Sequence, residues 1–463
     1  MIKPSRYFNK NLMSINTEKG KLSIFALALP MFFESVASIF MGLIQSVMAS
    51  RYEGGFLIIP MNIANSVMSF FETFSYVATL GVSILVSAYI GKKDKESQKM
   101  AIGNGVILCV IISVIISLAG FFTAEQTLSI MGINKPEYVA YKSYALTHLK
   151  LRIIAVNLFK FYGVITMALR CYGYSGIGFI VSLTINSINA ILTAIFLYVI
   201  KVELNVALLF MNLSVLISIF CGMIIAVSCF IKKGLKLSLK PNGYFLKKLL
   251  RIGFPSSVTN ISYCLSQIIT TIICISLSPI DYQANIFIGQ IVNFSYQLGY
   301  SLGSANGIMV GRLCGEGNFE LADKVTYQSL RTVVFINLVI SVTVALFGGL
   351  LLKGLFDASD EIISVARLVF WVDVLVELGR APGHVGEGVM KATGQVVFMA
   401  TASMLSCWII GVGGSFVLGI VLNFGLVGMK LSLAIDETTR GVLFMTRYKK
   451  GSWKNSFNRK IFN

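Results

Sequence analysis

Apolar runs of about 20 residues recur along the whole chain, each long enough for an α-helix to cross the hydrocarbon core of a bilayer. Lipid supplies no partner for a bare N–H or C=O, so a spanning segment must be helical or part of a closed barrel. These runs lack the strict two-residue alternation of an outer-membrane barrel, which leaves helices. About twelve spans are expected, giving an all-α integral membrane protein. With 56% hydrophobic and only 13% charged residues in 463, a soluble fold would lack the interior to hide so much apolar surface. The first run is long, keeps the acid Glu34 and is followed by another span, so it is expected to be retained and not cleaved as a signal.

The formal net charge of +18 is distributed unevenly. Lys3, Arg6, Lys10, Lys19 and Lys21 precede the first span, and Lys92, Lys93, Lys95 and Lys99 separate the second from the third. Lys232, Lys233, Lys236, Lys240, Lys247, Lys248 and Arg251 fill the middle, and Arg447, Lys449, Lys450, Lys454, Arg459 and Lys460 close the chain. Alternate loops hold little more than Arg51, Lys135, Lys201 and Lys353. Basic residues stay on the cytoplasmic side, so both termini are expected there, in the inner membrane, with an even number of spans. Anionic lipid headgroups, and not nucleic acid, are the partners this pattern suits. The eight cysteines are scattered and form no CxxC pair, and two histidines make a zinc site improbable; no metal or cofactor is expected.

The chain repeats itself. "LVSAYIGKKDKE" (85–96) aligns with "MVGRLCGEGNFE" (309–320), and "ALALP" ending at Pro30 aligns with "LRIGFP" ending at Pro255, both at a shift of about 225 residues. "ALRCYG" ending at Gly173 matches "MKATG" ending at Gly394 at nearly the same shift. Two pseudo-symmetric six-helix bundles follow, entering the membrane in the same orientation because six is even. The expected organisation is a cytoplasmic segment (1–21), a first bundle (22–231), a basic linker (232–247), a second bundle (248–448) and a basic tail (449–463). Rocking of one bundle against the other is the mechanical basis of alternating access.

Several motifs carry a family resemblance: "LPMFFE" with "GLIQSVMASRY" in the first span, "LGVSILVSAYIG", "ALRCYGYS" and "INSIN" in the first half, then "GFPSSVTNISYCLSQ", "MVGRLCGEG", "WVDVLVELGRA" and "AIDETTRGVLFMTRYKKGSW". In this order and spacing the chain resembles the multidrug and toxic compound extrusion (MATE) transporters, from about Gly20 to Trp453. The resemblance implies a twelve-helix exporter of organic, often cationic or amphipathic, small molecules in exchange for Na+ or H+. A monomer without enzymatic activity is expected. Two departures stand out. Relatives usually carry an aspartate where this chain has Gln45 and a glutamate where it has Thr259; neither Gln45 nor Thr259 titrates, though each keeps an oxygen able to contact a cation or substrate.

The remaining intramembrane ionisable residues are therefore the candidates for coupling, since charge at the membrane centre is costly to keep. Asp373, Glu377 and Arg380 fall at i, i+4 and i+7 on one helical face, either as a cation or proton site tuned by the arginine or as a permanent ion-paired network. Glu34 shares a stripe with Gln45, about 16 Å along the same helix, and is either a protonatable group of the first bundle or a polar contact to a neighbouring helix. Glu72 reads similarly. Asn186 and Asn189 share a face and suit substrate contact or interhelical hydrogen bonding equally. Asp436, Glu437 and Arg440 read as local pairs within the last span, and His384 as a hydrogen-bonded or interfacial residue. Alternatives to the exporter are a flippase for lipid-linked precursors and a degenerate, non-transporting membrane component, the latter favoured by the two missing acids.

Overall fold

The computed structural model describes residues 13–17, 20–52, 56–131, 133, 134, 136, 139–356 and 358–462. Lys3, Arg6, Lys10, Lys19 and Lys135 of the charge pattern lie outside these. A short antiparallel hairpin, β1 (Ser14–Thr17) and β2 (Gly20–Ser23), pairs Ser14 with Ser23 and runs directly into α1 (Ile24–Arg51). Then come α2 (Ile58–Gly91), α3 (Lys95–Ile130), α4 (Lys142–Asn157), α5 (Tyr162–Cys171), α6 (Ser175–Ala194) and α7 (Leu204–Lys232). The second half holds α8 (Gly243–Ile275), α9 (Pro279–Gly315), α10 (Phe319–Phe356), α11 (Asp360–Ala392), α12 (Val396–Leu405), α13 (Gly414–Phe416), α14 (Gly425–Lys449) and α15 (Ser452–Ile461). The protein is an all-α membrane protein with this one hairpin at its N-terminal side.

Among the described residues, eight helices are long and apolar enough to cross a membrane, and nine if α4 and α5, bent by 43° at their break, count as one span. Helices α9, α11 and α14 have 37, 33 and 25 residues, so length is not what separates them from the rest. They are too polar, and α11 and α14 carry most of the intramembrane charge. With these three the long helices come to the twelve expected, and the buried faces of α11 and α14 hold their charged residues inside the protein.

Local chemistry explains several boundaries. Ser278 caps α9, its hydroxyl accepting from the Asp281 N–H at 3.0 Å, with Pro279 in the first turn where no N–H is needed. Gly173 and Gly394, the two glycines matched between the halves, both sit at positive φ (93° and 70°) just beyond α5 and α11, which is how a chain leaves a helix without a Cβ clash. Helical winding loosens at equivalent places. Ile195–Val199, continuing α6, and Ser406–Gly413 and Val417–Val421, either side of α13, are π-helical.

The chain divides into two compact units. One comprises Phe33–Val86 and Lys95–Ser257, and its core joins Phe71, Ile116, Leu128, Leu149, Ile153 and Ile219. The other comprises Val258–Asn463 with Ser87–Asp94 and the segment ending at Phe32, and its core joins Ile288, Leu352, Val369, Phe370 and Met429. The basic tail is itself a helix. Trp453, Phe457 and Ile461 recur every four residues along α15 and are fully buried, with Trp453 stacked on Tyr448 at 5.1 Å and Lys454 paired with Asp323 at 2.5 Å. All eight cysteines are free thiols.

Candidate functional site

The second unit gathers its charge where α9, α10, α11 and α14 meet. Glu377 on α11 is wholly buried. Its Oε2 accepts from Asn337 Nδ2 of α10 at 2.8 Å and Ser295 Oγ of α9 at 3.1 Å, while Oε1 accepts from Arg380 Nη1 at 2.5 Å. Three donors therefore serve the two oxygens, which is what makes a buried carboxylate tolerable. Arg380 continues to α14, its Nε lying 3.4 Å from Glu437 Oε1 and its guanidinium 5.2 Å from the Tyr296 ring centroid. Arg440 then binds Glu437 at 2.8 Å and grips Asp436 through two bonds of 2.9 and 3.2 Å. Ser406 Oγ donates to Asp436 Oδ1 at 2.6 Å. The result is a chain of alternating charge, Glu377, Arg380, Glu437, Arg440, Asp436. Helices α11 and α14 come close enough to share it because Gly379 has no side chain; a Cβ there would lie 2.3 Å from Thr438 Oγ1.

Asp373, one turn before Glu377, behaves differently. It is 5% exposed and has no hydrogen bond or ion pair among the described residues; Arg380 and Lys430 are the cations within electrostatic reach. Lys430 and Asp436, with Tyr263, Ser266 and Cys407, line a cavity of about 80 Å³ beside the charged chain, roomy enough for ordered water. His384 packs edge-on to Tyr296 and Tyr300, with ring centroids 5.0 and 5.9 Å away, and Glu387 pairs with Lys391 at 2.5 Å.

The first unit holds smaller arrangements. Glu34 is ion-paired with Arg170 of α5, and Ser38, one turn on, receives a 3.4 Å bond from Asn186 of α6. The polar stripe of α1 thus faces α5 and α6. Asn189 is buried and accepts from Thr193 of its own helix at 3.4 Å. Glu72 lies 3.9 Å from Lys160. Gln45 is half-buried and makes no hydrogen bond among the described residues; Thr259 is half-buried on α8, in the other unit.

Of the residues singled out from sequence, Glu377 and Arg380 come into direct contact, Asp373 stands beside them without touching either, and Glu34 has a partner that the sequence did not suggest. The union of α14 with α11 was also not anticipated. Asp436, Glu437 and Arg440 pair locally, as their spacing suggests, but Glu437 also reaches Arg380. The i, i+3 and i+4 charge spacing on both helices was the available signal, whereas Ser295, Asn337 and Tyr296 are single polar residues that no spacing marks.

A family profile described as MatE matches residues 30–195 and 255–417, leaving out the two ends with α14, and a middle stretch that holds α7, the basic linker and the start of α8. The chain belongs to the MatE family. Among curated relatives, the protein named "Uncharacterized transporter YisQ" of Bacillus subtilis is 28% identical over 93% of this chain and 94% of its own length. "Probable multidrug resistance protein NorM" of Thermotoga maritima is 21% identical over 92% of each. A solved structure titled as the outward-facing conformation of a multidrug resistance MATE family transporter of the MOP superfamily superposes with a TM-score of 0.83 at 18% identity, covering 93% of this chain and 96% of that one. At that identity the match shows the fold, and it is the MATE fold.

Proposed function

We propose that this MatE-family chain is a secondary active multidrug exporter that moves organic, cationic or amphipathic compounds outward by alternating access, driven by Na+ or H+. Relatives named as multidrug resistance proteins support the substrate class, and the basic residues clustered at the termini and linker support an inner-membrane protein with cytoplasmic ends. The observation that carries the coupling reading is Asp373. An aspartate buried in a membrane protein without a direct partner is poised to take a proton or a cation, whereas Glu377 is already saturated by Arg380, Asn337 and Ser295.

In this reading Asp373 exchanges the coupling ion. Glu377 holds Arg380 in place, so that the guanidinium competes with the ion for Asp373 and helps to release it. Gln45 and Thr259 contribute at most neutral oxygens. Asn186, Asn189 and Glu34 belong to the other unit, where they contact substrate or position its helices.

The test is ethidium export by the protein in proteoliposomes under separately imposed sodium and pH gradients. One gradient should drive export in the wild type and fail in Asp373→Asn. Gradient-independent movement, or full coupling in that variant, would overturn the assignment. Movement of an isoprenoid-linked lipid without drug export would instead favour a flippase.

A further inference from the structure

The unit of Phe33–Val86 and Lys95–Ser257 has, among the described residues, a surplus of cations inside its spans. Lys150 and Arg152 on α4, Lys160 at the break after it and Arg170 on α5 are set against Glu34 and Glu72. Glu34 is taken by Arg170, and Glu72 lies 3.9 Å from Lys160. Arg152 makes no ion pair or hydrogen bond among the described residues; its Nε is buried without a partner, and Glu72, already shared, is the carboxylate within electrostatic reach. One turn earlier on the same face, His148 bonds Asn212 through Nδ1 at 2.9 Å and leaves Nε2 buried and unbonded. Asn157, five residues beyond Arg152, has both amide atoms buried without partners.

An arginine within a membrane helix is costly and is retained where something answers its charge. Here no described residue is a dedicated counter-ion, while a guanidinium offers a planar fork matched to a carboxylate, sulfonate or phosphate. The surroundings are apolar and aromatic, with Phe71, Leu149 and Ile153 buried nearby and Phe74 and Tyr162 half-buried against them, which suits an organic anion better than an inorganic one. We propose that the His148–Arg152 face of α4, together with Lys160, is an anion-accepting subsite for the carboxylate or sulfonate of an amphipathic compound. Zwitterions and organic anions would then be carried as well as cations. That consequence for transport rests on the exporter reading; the binding step does not.

The test is binding of carboxyfluorescein to the full chain in phosphatidylcholine nanodiscs, read by fluorescence polarisation, beside thermal melting of the ligand-free protein. Arg152→Gln should weaken binding about tenfold, Lys160→Gln by a comparable factor, and Arg152→Lys by only a few-fold. Removing an unanswered charge should also raise the melting temperature of Arg152→Gln by about 2–4 °C. A purely structural arginine predicts the opposite, a lower melting temperature with unchanged binding, and that result would overturn the proposal. Should Arg152→Gln not fold, the arginine is structural and the proposal falls with it. Equal carboxyfluorescein affinity in Lys160→Gln and wild type would also defeat it. Failure of the exporter reading would look different: carboxyfluorescein bound, with no ethidium moved under any gradient.

Discussion

Gly91 at the end of α2 and Gly315 at the end of α9 occupy matching places in the two repeats, and each fits against the other's helix. A Cβ on Gly91 would lie 1.9 Å from the Arg312 carbonyl oxygen, and one on Gly315 would lie 2.0 Å from the Ala88 carbonyl oxygen. Ala88 and Arg312 are themselves repeat partners in the sequence, so the contact is reciprocal. Any side chain at either position must push the helix ends apart, since a carbonyl oxygen on a helix cannot yield as a flexible side chain does. Gly91→Val and Gly315→Val should therefore each abolish export, and Cys314, buried in this packing, should become reactive to maleimide. Wild-type labelling and transport in both variants would show that the contact is dispensable.

The pair Arg380 and Glu377 makes a stability prediction. Arg380→Gln strands a wholly buried carboxylate, at a cost of about 3–5 kcal/mol. The double variant Arg380→Gln/Glu377→Gln removes both charges and should recover much of that loss. Denaturation of the purified variants checks this, and a double variant as unstable as the single one would contradict it.

Export should separate two positions. Glu377→Gln, which frees Arg380 from its nearest acid, is expected to impair ethidium export more than Gln45→Ala, because Gln45 neither titrates nor holds a neighbour in place. Equal export by the two variants would remove Glu377 from the coupling machinery and leave Asp373 without a positioned arginine.

The ion pair between Glu34 and Arg170 gives the acid of the first span a partner on α5. Replacing both residues with glutamine should leave the pH profile of export unchanged while lowering its rate or the protein's stability. A displaced pH profile would instead make Glu34 a proton carrier.

The tail helix α15 should matter for stability. Trp453→Ala empties a fully buried site between Tyr448 and Phe319, and is expected to cost about 3–5 kcal/mol. Thermal melting in detergent provides the measurement.

The apolar spacing and the internal repeat made the helical architecture legible, since bilayer thickness fixes the length of a span and duplication fixes its partner. What remained hidden depended on which helix faces which. The i, i+4, i+7 spacing located Asp373, Glu377 and Arg380 on one face, yet nothing local to α14 announced that Glu437 would meet Arg380, because Gly379 sets that approach. Arg170 escaped notice for the same reason; its acid lies on α1, far away in sequence. Trp453, Phe457 and Ile461 carried a readable helical period, but the basic residues around them masked it.

The π-helical turn Ile195–Val199 has its counterpart, one repeat on, at Val417–Val421. An i→i+5 turn stores one residue beyond what an α-helix needs, and it can pass that residue along by exchanging hydrogen bonds singly. The helix on one side would swivel by about 100° while staying wound. Each half of this protein thus winds more loosely than an α-helix at the same point of its fifth span, where a spare residue sets the side chains beyond it out of α-helical register.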